Sequence, residues 1–191
     1  MFRDAAGRLY DFTKEIGRDM SDCGRGTPLW SFVGAPGGRA LPNWIIAHLN
    51  ELAESDFDLL ERSARKFHVV HCPRSHCHFG HSPFQFERLR TLGFNICLGT
   101  DSLASNDDLS LFAEMRAFQK EFPAIPAEEI LEMVTVNPAC ALRQESQLGK
   151  ICANQFADLI GIPASSTSKN IFEEIIAFDR PVNWLMVDGK G

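Results

Sequence analysis

The stretch Phe94-Asn95-Ile96-Cys97-Leu98-Gly99-Thr100-Asp101-Ser102 decides the fold. An apolar run of strand character gives out at its C-terminal end into polar residues, with the carboxylate of Asp101 among the first of them. Parallel α/β folds place their chemistry there, outside the carboxyl ends of the strands. Two earlier segments repeat the design. Trp44-Ile45-Ile46-Ala47 ends at His48, and Phe67-His68-Val69-Val70 ends at His71-Cys72-Pro73. Each short apolar run thus finishes close to a residue whose side chain is able to bind a metal.

Working outward, apolar spacing predicts helices over residues 56–66, 83–92 and 109–118, one after each strand. Strands of buried type alternating with helices imply parallel pairing through right-handed crossovers. Pro126 to Met133 reads as a further helix with Pro126 near its first turn, and Asn137-Pro138 opens a short one through Leu142. Upstream, Leu9, Phe12 and Ile16 recur at helical spacing within residues 2–20. Residues 21–39, rich in Gly, Pro and Ser, read as a long loop with Trp30, Phe32 and Val33 as packing anchors. From Gly149 the pattern changes to β-like runs at 156–162, 171–178 and 184–187, the last closing on the turn signal Asp188-Gly189. Two units are expected, residues 1–148 and a small β tail, 149–191.

Composition narrows the function classes. The chain has 191 residues, 45% hydrophobic and 23% charged, enough for a buried core. A formal net charge of −6 with scattered Lys and Arg argues against a nucleic-acid partner, which wants clustered cations. No apolar run approaches the roughly 20 residues that cross a bilayer, and Met1-Phe2-Arg3-Asp4 lacks the apolar core of a signal peptide. The expectation is a cytoplasmic protein without a membrane partner. Its 6 cysteines are spread along the chain, several in apolar runs, which suits reduced thiols better than a disulfide framework.

The ordered set His48, His71 and Asp101, with its flanks, resembles the amidohydrolase superfamily, in its deaminase and chlorohydrolase branch. The phrases that carry the resemblance are Ile46-Ala47-His48, the run from Val69 to Ser75, the run from Leu98 to Asn106, Thr135-Val136-Asn137-Pro138-Ala139, and Gly149 to Ile162 with Ala157-Asp158-Leu159-Ile160. The resemblance implies an α/β fold, the C-terminal part of a (β/α)8 TIM-type barrel holding strands six to eight, followed by part of a small β-sandwich. It implies a metal-dependent hydrolase of carbon–nitrogen bonds other than peptide bonds, acting on a small molecule such as a nitrogen heterocycle. Asp101 is then a metal ligand and the proton acceptor, and His48 orients the attacking water. Zinc is the first expectation for the divalent metal; iron and manganese suit the same donors. A divalent ion lowers the pKa of water toward about 7, and a carboxylate and an imidazole beside it handle the protons.

The family's remaining ligands are a His-x-His pair and a histidine followed three residues on by a glutamate. Residues 1–47 contain no histidine, so neither motif precedes His48. The chain accordingly reads as the C-terminal portion of a larger enzyme, inactive alone and needing the missing N-terminal half or self-association. The other readings are plain ones. Asp101 is alternatively a turn aspartate capping the next helix, and His48 a buried histidine bonded to a backbone carbonyl. His71 stands evenly between packing and pocket lining. The run His71-Cys72-Pro73-Arg74-Ser75-His76-Cys77-His78-Phe79-Gly80-His81 is either a small zinc module or, the favoured reading, a loop at the substrate mouth. There His76 and Phe79 would stack on a planar ring and Arg74 or His81 would offer hydrogen bonds, with His71 and Ser102 completing the expected substrate-binding set.

Overall fold

The apolar runs form three short strands, β1 (Ile45–Ala47), β2 (His68–His71) and β3 (Asn95–Leu98). They pair in parallel in the order β1-β2-β3, with Val69 opposite both Ile46 and Ile96. In this computed structural model, residues 3–24, 26, 29, 44–63, 66–165 and 170–191 are described. Trp30, Phe32 and Val33 lie outside them.

The helices follow the predicted alternation closely. They are α1 (Arg8–Glu15), α2 (Glu54–Arg62), α3 (Pro73–Phe79), α4 (Phe86–Thr91), α5 (Leu111–Glu121), α6 (Ala127–Glu132), α7 (Val136–Ala141) and α8 (Ile171–Ala177). Local chemistry explains where they start. Asp56 Oδ2 accepts the Ala53 N–H at 2.7 Å ahead of α2, and Ser110 Oγ accepts the Ala113 N–H at 3.3 Å at the head of α5. Pro73 occupies the first turn of α3, where a missing N–H does no harm. The stretch 73–79, expected as a loop, is therefore helical, and Gly80 ends it in a left-handed conformation at φ 61°.

The tail departs from its reading. Residues 171–178 were expected as a β-like run; they form α8, because Ile171, Phe172, Ile175 and Ile176 recur at helical spacing around Glu173 and Glu174. The helix packs on α5 and α6, and Ile176 is fully buried in the same apolar cluster as Val69, Phe118 and Ile130. The remaining tail strands, β4 (Leu159–Gly161) and β5 (Trp184–Met186), pair antiparallel as a separate two-stranded sheet.

The two edges of the parallel sheet differ. Beyond β3, Asn137 Nδ2 donates to the Ile96 carbonyl at 2.8 Å, Asn95 Nδ2 donates to the Asn137 carbonyl at 2.9 Å, and the Leu98 N–H donates to the Met133 carbonyl at 2.9 Å. The Asn-Pro motif thus docks α7 on β3. Beyond β1 no further strand pairs among the described residues, and Ile45 is 44% exposed.

Candidate active site at the strand ends

The ladder holds each apolar run to its last residue. The His48 N–H donates to the Val70 carbonyl at 2.8 Å and the Gly99 N–H to the His71 carbonyl at 2.9 Å. Gly99 is required by close approach: a Cβ there would sit 2.7 Å from Val70 Cγ1. Just past the ladder the backbone turns left-handed at His48 (φ 69°), Leu49 (φ 50°) and Asp101 (φ 59°). For residues with a Cβ this conformation costs about 1–2 kcal/mol each, and it gathers at functional sites.

These turns bring His48 and Asp101 together from the two outer strands. His48 Nε2 lies 3.9 Å from Asp101 Oδ2, too far for a direct hydrogen bond and a span that a single bridging atom would fill. Asp101 Oδ2 accepts hydrogen bonds from Ser75 Oγ at 2.7 Å and from Ser105 Oγ at 3.0 Å. The two hydroxyls, Ser75 first, hold the carboxyl below the usual carboxylate range, with a smaller contribution from His48. Asp101 is thus held in its charged form, with two hydroxyl donors on Oδ2. Neither serine was singled out from sequence, although both stand in the phrases around His71 and Asp101. Nothing in the spacing of Ser75 and Ser105, 26 and 4 residues from Asp101, shows that they converge on it.

The other expected residues are more dispersed. His71 is fully buried, stacked on Phe84 at 3.9 Å with an interplanar angle of 1°, and His76 meets its ring edge-on at 5.1 Å. Burial above all, with His76 and His48 nearby, pushes the His71 imidazole down to about 3. His76 is buried too, and desolvation lowers its pKa. Its ring lies 5.6 Å from that of His81. Arg74 turns away to Asp108, 2.5 Å, and Asp107, 3.6 Å. Phe79 is 59% exposed against His78 and His81, and Ser102 Oγ accepts the Ala104 N–H at 3.3 Å. A cleft of about 830 Å³ opens beside this group, its walls including His76, His78, His81, Leu103, Ser105 and Asp107.

Among the described residues no three His, Cys, Asp or Glu side chains converge as a ligand set, neither at Asp101 nor along residues 71–81. Catalytic zinc sites take three protein ligands. His48 and Asp101 supply at most part of such a set, so the residues described do not fit a complete metal centre.

The amidohydrolase family matches residues 23–190 of this chain. A 5-methylthioadenosine/S-adenosylhomocysteine deaminase of Halalkalibacterium halodurans is 42% identical over 127 residues, 63% of this chain and 28% of its own length. A protein of the same name from Teredinibacter turnerae is 34% identical over 161 residues, 81% of this chain and 35% of its own. A crystal structure of an adenosine deaminase from Xanthomonas campestris with bound zinc matches with a TM-score of 0.67 at 26% identity, over 76% of this chain and 36% of that one. The chain thus spans about a third of the length of these relatives. With a parallel sheet of the expected order and a family match running over most of its length, the chain belongs to the amidohydrolase family.

Proposed function

We propose that these residues serve a hydrolytic deaminase acting on an aromatic amine of a nitrogen heterocycle, the adenine-type substrates named for its relatives being the first to test. The observation that carries the reading is the His48–Asp101 pair, 3.9 Å apart on left-handed turns at the ends of two parallel strands. In the net reaction a water oxygen bonds to the ring carbon that bears the amino group, and that group leaves as ammonia. Asp101 accepts the proton of the attacking water at its carboxylate, held ionised by Ser75 and Ser105. His48 Nε2 orients that water and steadies the charge that develops on its oxygen.

Asp101 also takes one ligand position for a divalent ion, zinc being the metal in the Xanthomonas relative. The remaining ligands come from polypeptide outside these residues, so that the described residues alone are catalytically silent. β1, β2 and β3 are assigned to barrel strands six, seven and eight, residues 1–148 to the barrel, and β4 and β5 within residues 149–191 to the sandwich, with α8 packed on the barrel helices α5 and α6. The cleft beside Ser105 and His76 receives the substrate, with the buried His71 ring packed behind His76.

The test measures ammonia release from 5-methylthioadenosine and S-adenosylhomocysteine together with metal content. It uses the 191-residue chain and the same chain joined to the upstream polypeptide. Activity and metal should appear together in the longer protein. Asp101→Asn should then lower kcat by about 10²–10⁴-fold and release the metal, and His48→Gln should lower kcat comparably. Stoichiometric metal in the shorter chain, unaffected by Asp101→Asn, would overturn the assignment and move the chemistry to residues 71–81.

A further inference from the structure

Glu114 is a fully buried carboxylate that plays no part in the reaction just described. It lies on α5 beside Met115 and Phe118, the buried face of that helix. An acidic residue there is expensive to bury unless it is partnered. Glu114 Oε2 accepts the Arg74 N–H at 3.0 Å, in the first turn of α3, where the Cys72 cap offers no side-chain bond of its own. Glu114 Oε1 has no hydrogen-bond partner among the described residues. Burial pushes the Glu114 carboxyl up, opposed first by the Arg74 N–H and then, less, by the neighbouring Asn106 side chain; Asn106 Nδ2 itself donates to the Thr100 carbonyl.

The residues at the two ends of this contact are the chain neighbours of the serines that hold Asp101. Arg74 precedes Ser75, and Asn106 follows Ser105. We propose that Glu114 is a positioning residue: one buried carboxylate clamps the start of α3 to the loop after β3, and so aims Ser75 Oγ and Ser105 Oγ together at Asp101 Oδ2. The clamp is a property of the fold. Its consequence for turnover rests on the deaminase reading above.

Amide exchange tests the clamp without reference to activity. In Glu114→Ala the amides of Arg74 and Ser75 and those of residues 100–106 should exchange about tenfold faster together, while β2 and β3 keep their protection. Glu114→Met, close in volume but without an acceptor, reads the same effect if the alanine cavity unfolds the protein. Glu114→Gln, which keeps a carbonyl acceptor, should restore both segments. Faster exchange at Arg74 alone, or at neither segment, overturns the clamp, even in a protein that deaminates nothing. In a protein that does deaminate, Glu114→Ala should lower kcat about tenfold to a hundredfold with KM little changed. That loss should vanish in the Ser75→Ala/Ser105→Ala background. A full loss that persists in that background overturns action through the serines.

Discussion

At the residue scale, His71 shows what burial does to a titratable side chain. Its ring is 0% exposed, and neither nitrogen has a hydrogen-bond partner among the described residues. It is retained as an aromatic plate between Phe84, His76 and Phe118. Its pKa is pushed from 6.5 to about 3, first by desolvation and then by His76 and His48. Because the folded value lies below the unfolded one, only the unfolded chain takes up this proton as pH falls from 6.5 toward about 3. Stability is therefore lost on acidification across that window, with a limiting slope of about 1.4 kcal/mol per pH unit. His71→Phe, which keeps the stacking and removes the proton site, should flatten the fall. Urea unfolding of both proteins at about pH 7.5 and about pH 5 checks this, and parallel profiles would contradict it. The sequence marks His71 as the polar end of a strand. It leaves open whether the ring turns inward or outward, because period-2 alternation is set by the sheet's neighbours and not by the residue.

At the element scale, the strands and most helices were legible because each carries its own periodicity. Two elements were not. α3 is short and rich in His and Cys, with no apolar repeat to read, and its helicity depends on Pro73 in the first turn and on the Glu114 acceptor some 40 residues away. α8 shows an apolar cluster that fits strand or helix over so few residues, and packing against α5 and α6 decides for helix. The docking of α7 makes a testable case of the same principle. Asn137 bonds to Ile96 on β3 and receives Asn95, and Asn95 Nδ2 also lies 2.8 Å from His68 Nδ1 on β2. Asn137→Ala would leave the Ile96 carbonyl without this donor and should cost about 1–3 kcal/mol of unfolding free energy, read as a lower urea midpoint with unchanged slope. A loss below about 0.5 kcal/mol would show that the motif is not what holds α7 to the sheet.

At the scale of the whole molecule, a three-stranded parallel sheet is covered beyond β3 and, among the described residues, has no strand paired beyond β1. Parallel sheets are ordinarily buried, and an edge left unpaired among the described residues, with Ile45 exposed, invites pairing with another chain. The 191-residue chain on its own should therefore self-associate, and Ile45→Lys should shift it toward monomer. Sedimentation velocity over about a hundredfold range of concentration reads this; a chain that stays monomeric throughout, or an unchanged distribution for Ile45→Lys, would refute it. The sequence by itself determined the strand–helix alternation, the parallel sheet and the candidates His48 and Asp101. Those features rest on local periodicity and on motifs contiguous in the chain. Only the tertiary structure decided that Ser75 and Ser105 hold Asp101, that His71 is buried, and that Glu114 meets the Arg74 N–H. The physical reason is distance along the chain. Ser75 to Asp101 and Arg74 to Glu114 join segments more than 20 residues apart, and such contacts exist only once packing has brought the strand ends and their helices together.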